Sequence, residues 1–111
     1  MNVGLPEIDE KEMMERAVKA VSAAVNLPIQ IDSSDPEVIE RAIRIYNGKP
    51  MINSVNGKKE SLDSILPIVK KYGGVLVGLC LDEEGIPATA QERTAIAERI
   101  AEEAAKYGIK K

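Results

Sequence analysis

The sequence predicts an α/β protein made of consecutive strand–helix units with parallel strands. Three observations carry that reading. Leu27-Pro-Ile-Gln-Ile-Asp-Ser-Ser-Asp-Pro36 begins as a strand, ends in a carboxylate and two hydroxyls, then offers Asp35 as a helix N-cap with Pro36 at the first helical position. Met51-Ile-Asn-Ser54 repeats the plan about one unit later, an apolar strand closed by a side chain that both donates and accepts hydrogen bonds. Val75-Leu-Val-Gly-Leu-Cys-Leu81 is a nearly continuous apolar run, the pattern of a parallel strand buried on both faces. Parallel strands joined by helices connect through right-handed crossovers. Ligands of such sheets bind at the carboxyl ends of the strands, which is where Asp32 and Asn53 fall.

The elements follow in order. Val3 followed by Gly4 and Pro6 reads as the end of a strand and its turn. Asp9-Glu-Lys-Glu12 has capping-box spacing, and Met13, Met14, Ala17, Val18, Val21 and Val25 recur at helical intervals, which predicts a helix from about Asp9 to Ala24. A strand is expected over Pro28–Ile31, with proline tolerated at its start. The next helix runs from Pro36 to about Tyr46, buries Val38, Ile39, Ala42, Ile43 and Ile45, and stops at Asn47-Gly48. Pro50–Asn53 is the second full strand, and Val55–Lys58 reads as a turn. Leu62, Ile65, Leu66 and Val69 mark a helix over Lys59–Tyr72, in which Pro67 is expected to kink or break the rod, and Gly73-Gly74 closes it. After a solvated Asp82–Pro87 loop, Thr89-Ala-Gln-Glu92 repeats the capping box ahead of a long helix to Tyr107, with Gly108 as its stop.

Composition narrows the chemistry. The 111 residues make one domain, 1–111; 44% of them are hydrophobic and 30% charged, the mix of a soluble chain. A net charge of −3 gives no general attraction to nucleic acid or to an anionic membrane, and three Tyr with no Trp or Phe make no base-stacking platform. No apolar run approaches a membrane span and no signal peptide opens the chain, so a cytoplasmic location is expected. Without histidine, and with Cys80 alone, there is neither the commonest general base nor a zinc cluster; Cys80 reads as a small buried hydrophobe. Any chemistry falls to carboxylates, amides, hydroxyls, Lys, Tyr or a cofactor. On local grounds Asp32-Ser33-Ser34 is either a helix-entry turn or a ligand site, and Asn53 either a turn former or a contact.

Asn2-Val-Gly, Gln30-Ile-Asp-Ser-Ser34, Lys49-Pro-Met-Ile-Asn-Ser54, Lys71-Tyr-Gly-Gly-Val-Leu-Val-Gly-Leu79 and Glu84-Gly-Ile-Pro87 together resemble the pterin-binding methyltransferases. These are the methyltetrahydrofolate:corrinoid/iron-sulfur protein methyltransferases and the folate domain of cobalamin-dependent methionine synthase. The likeness extends from Asn2 to about Gly108. It implies parallel βα units forming part of a (β/α)8 TIM barrel, about half of it, because a whole barrel needs about 250 residues. On that alignment the chain holds the tip of the second strand and units three to five, and looks like a fragment.

The resemblance also implies a site. The residues matching Asp32 and Asn53 hold the pterin ring, and Asn2 matches a strand-two asparagine, while the aspartate two positions before it and the later catalytic-wall residues have no counterpart. Ser54 joins these three as a candidate contact; no catalytic residue is assigned. The implied substrate is methyltetrahydrofolate, whose N5 methyl passes to a cobalamin carried by a partner corrinoid protein. With the wall missing, the chain alone is expected to be inactive. The alternative is a non-catalytic half-barrel that forms a homo-oligomer through its bare sheet edges, Ile29–Ile31 and Val75–Leu81.

Overall fold

The computed structural model describes residues 1–110. Its elements are α1 (Glu10–Ala24), β1 (Gln30–Asp32), α2 (Pro36–Ile45), β2 (Met51–Asn56), α3 (Lys59–Tyr72), β3 (Val75–Leu79) and α4 (Ala90–Lys106). Among the described residues the strands form one parallel sheet in the order β1-β2-β3. The chain begins beside that sheet. The Met1 amino group donates to the Gln30 carbonyl, and the Asp32 N–H donates to the Met1 carbonyl at 2.9 Å. That alternation is the hydrogen-bond pattern of a single parallel bridge from Met1 to Ile31; residues 1–5 form no strand, so the strand end expected at Val3 is reduced to this one contact at the β1 edge.

Each helix starts where its cap residue lies. The Asp9 carboxylate accepts from the Glu12 N–H, Asp35 from the Glu37 N–H, and Thr89 from the Glu92 N–H. The C-cap of α3 is Gly73 at φ 78°, a conformation that glycine adopts without steric cost. Of the expected kink or break at Pro67 the break does not occur, since α3 runs through it as one helix. Both Pro67 and Asp63, whose carbonyl loses its bond, are exposed, so water replaces the missing donor.

The core lies between the sheet and its helices. Ile31 and Ile52 are fully buried and meet Val38, Ile39 and Ala42 of α2 and Leu62, Ile65 and Leu66 of α3, while Met14 and Val18 anchor α1. Among the described residues the opposite face of the sheet carries no helix: Met51 is 39% exposed and Val75 47%. This corrects the expectation for Val75–Leu81. β3 ends at Leu79, is half-buried at best, and forms an edge, because among the described residues its outer side has no strand partner. Cys80 is half-buried and packs against the core margin. On α1, Val25 lies outside the helix as an exposed C-cap.

Strand boundaries also shift. β1 begins at Gln30, leaving Pro28 and Ile29 outside, and includes Asp32, while β2 begins at Met51 and runs on to Asn56 where a turn was expected. The cause in β2 is a bulge. Asn53 pairs with Val77, but Val55 pairs with Gly78, which leaves Ser54 as the extra residue.

Candidate functional site

Side chains alternate along a strand, so the burial of Ile31 and Ile52 against the helices directs Asp32 and Asn53 to the open face. The two are register partners on neighbouring strands, roughly 4.8 Å apart across the ladder. Both are half-buried. Among the described residues no side-chain hydrogen bond or ion pair engages either one, and no buried polar side-chain atom lacks a partner. Their free oxygens and nitrogen therefore face solvent.

The bulge extends this polar row. In a regular strand Val55 would share a face with Asn53, and Asn56 would turn toward the helices. With Ser54 inserted, Val55 is fully buried while Asn53, Ser54 and Asn56 stay half-buried. Asp32, Asn53, Ser54, Asn56, Lys58 and Leu79 are among the residues that line one open groove of about 480 Å³. That volume lies within the usual range for small-molecule sites, roughly 300–1,000 Å³.

The groove's walls are helix entries. The Ser33 hydroxyl, buried, donates to Glu10 Oε1 at 2.8 Å and accepts from the Asp35 N–H at 3.1 Å, which locks the turn after Asp32 onto the start of α1. Asn56 Oδ1 accepts from the Lys58 N–H at 2.9 Å, and Ser61 Oγ accepts from the Asn56 N–H at 3.0 Å. Lys58, at the N-cap of α3, supplies no capping side chain. The cap comes from Glu83, whose Oε1 accepts from the Lys59 N–H at 3.0 Å. Its own backbone N–H first, then that of Lys59, hold the Glu83 carboxyl below the usual carboxylate range, with Arg99 and Lys58 assisting through space.

Of the residues singled out in the sequence, Asp32, Asn53 and Ser54 meet in the groove. Asn2 is exposed, its Oδ1 accepts from the Gly4 N–H at 2.9 Å, and it is not among the lining residues. Ser33 sits in the helix-entry turn that was one of the two readings of Asp32-Ser33-Ser34, but its bond to Glu10 and the roles of Lys58, Ser61 and Glu83 were not predicted. Only the hydroxyl pair after Asp32 gave a local signal; the others depend on contacts made in the fold. A larger cleft of about 740 Å³ follows the outer edge of β3 beneath α4, lined by Leu76, Ile100, Ala104, Lys49 and Lys70 among others. It has no carboxylate or amide side chain with which to read a polar heterocycle. Among the described residues no group of histidine, cysteine and carboxylate side chains is placed to hold a metal ion.

A carboxylate beside an amide, both unengaged at the carboxyl end of a parallel sheet, can accept and donate along the edge of a planar heterocycle. A family profile described as "Pterin binding enzyme" matches residues 2–111. The chain belongs to the pterin-binding enzyme family. Over 106 residues it is 31% identical to a methylcorrinoid:tetrahydrofolate methyltransferase of Eubacterium limosum, a match covering 94% of this chain and 39% of that protein. A methionine synthase of Mycobacterium tuberculosis is 32% identical over 92 residues, covering 78% of this chain and 8% of that protein. One from Mycobacterium leprae is 27% identical over the same shares. The chain thus spans about two fifths of the first relative and a small part of the synthases. As a pterin-binding family member with three parallel strands, it is consistent with part of a TIM-barrel-like domain. Among the described residues no helix is long and apolar enough to cross a membrane.

Proposed function

We propose that this chain carries the pterin-reading portion of a corrinoid-linked methyltransferase, with methyltetrahydrofolate as its ligand. The observation that carries the proposal is the register pair Asp32–Asn53, unengaged and side by side in the groove. The Asp32 carboxylate accepts from the two parallel N–H groups of the aminopyrimidinone, and the Asn53 amide pairs with the adjoining donor–acceptor edge. Ser54, free of the ladder at the bulge, reaches the same ring. Asn2, when released from the Gly4 N–H, adds a donor from the β1 side. The cobalamin, carried by a partner corrinoid protein, supplies the nucleophile that takes the methyl group. This chain's contribution is to bind and orient the pterin.

Methyl loss from N5 needs a proton or hydrogen bond at the departing amine inside a water-excluding site. The openness of the groove, with no group assigned to N5, supports the reading that the chain alone is inactive. Turnover of methyltetrahydrofolate with reduced cobalamin at the rate of a complete barrel would refute that statement.

Calorimetric titration with methyltetrahydrofolate tests the binding itself. Saturable binding is expected, and Asp32→Asn should weaken it at least tenfold, since hydrogen bonds to a charged group contribute about 1.5–3 kcal/mol. Binding that Asp32→Asn leaves intact overturns the assignment, as does no binding by the unaltered chain. A second reading, self-association, is favoured by the unpaired β3 edge and the exposed Met51 and Val75 on the uncovered sheet face. Sedimentation at micromolar concentration checks it, and a clean monomer counts against it.

A further inference from the structure

The groove is zoned by charge. Its floor at the strand ends holds Asp32 and Asn53, while its α3 rim holds Lys58, the only cation among the lining residues, with Glu60 as the rim's carboxylate. Lys58 is exposed and makes no ion pair among the described residues. Its charge already acts on a carboxylate, since it helps hold Glu83 in the ionised form. Glu83, however, pairs with the Lys59 N–H and with Arg99, so among the described residues it forms no ion pair with Lys58, a residue of the groove lining. Asn53 and Lys58 lie five positions apart, a span of at most about 18 Å. A folate has a neutral polar ring at one end, an aromatic amide spacer, and glutamate carboxylates at the other.

We propose that Lys58 is the residue that distinguishes a folate bearing its glutamate tail from a bare pterin, by pairing with the tail carboxylates at the α3 rim. The inference rests on the pterin reading of Asp32 and Asn53. Glu60 opposes it electrostatically, so the two rim charges set the preference between them. The pair is exposed, and its effect is modest and screened by salt.

The test titrates three probes into the chain at low salt: a tetrahydropterin without a side chain, methyltetrahydrofolate, and its triglutamate form. The unaltered protein should bind the triglutamate form more tightly than the bare pterin. Lys58→Gln should weaken folate binding roughly threefold, the scale of an exposed ion pair, and Glu60→Gln should strengthen it. Neither should move the affinity for the bare pterin, and 0.5 M salt should erase the difference. If all three probes bind and Lys58→Gln leaves their ratio unchanged, the tail assignment is overturned while the pterin reading stands. If the unaltered chain binds none of them, the pterin reading fails and takes this inference with it.

Discussion

Replacing Ser33 by alanine removes one hydroxyl that ties three elements together. Ser33 is 5% exposed, donates to Glu10 Oε1 at 2.8 Å, and accepts from the Asp35 N–H at 3.1 Å. A hydrogen bond to a charged group contributes about 1.5–3 kcal/mol and a neutral one about 0.5–1.5. Both are lost, but Glu10 is only half-buried and regains water, so the net cost of Ser33→Ala should be about 2 kcal/mol. For a chain of this size that lowers the melting temperature by roughly 8 °C. Urea unfolding of Ser33→Ala, Glu10→Ala and the double variant isolates the bond itself, with an expected coupling of about 1–2 kcal/mol. A Ser33→Ala cost below about 0.5 kcal/mol, or purely additive effects in the cycle, would refute the claim that this hydroxyl locks the turn after Asp32 to α1.

The two faces of β2 should respond differently to truncation. Ile52→Ala, in the fully buried row, should cost about 3 kcal/mol, whereas Met51→Ala at 39% exposure should cost under about 1, both by chemical denaturation. Deleting Ser54 should leave β2 a regular strand with Ile52 and Val55 still inward and Asn53 and Asn56 still outward, so a cost of only about 1 kcal/mol is expected, with circular dichroism melting as the readout; a loss above about 3 kcal/mol would refute the assignment of Ser54 as the extra residue of a bulge. The Glu83 carboxyl is held below its ordinary value of 4.5 in the folded chain. Its contribution is therefore present above that value and disappears as pH falls through the depressed one. Glu83→Gln should be less stable than the unaltered chain near neutrality and converge with it at the acid end of a pH–stability series.

What the sequence made legible was local. Asp9, Asp35 and Thr89 cap their helices through contacts two or three residues along the chain, and each was readable from spacing alone. Asp32 and Asn53 were readable as strand-end polar residues for the same reason. What failed depended on distant partners. The apolarity of Val75–Leu81 records what the strand is suited to meet, while its exposure depends on whether a neighbour covers it. Pro67 obeys a local rule about lost bonds, but the consequence turns on Asp63 facing water. The α3 cap comes from Glu83, 24 residues away, across a loop that reads simply as solvated charge. The bulge is the sharpest case. Ile52, Val55 and Asn53, Asn56 are each three apart, a spacing that regular strand alternation would split between faces. Only the shift in pairing against Val77 and Gly78 sends the aliphatic pair to the helices and the amide pair to the groove. The groove's polar row thus arises from the ladder of β2 on β3, and a change at the β3 edge should alter the presentation of Asn53 without touching any residue that contacts a ligand.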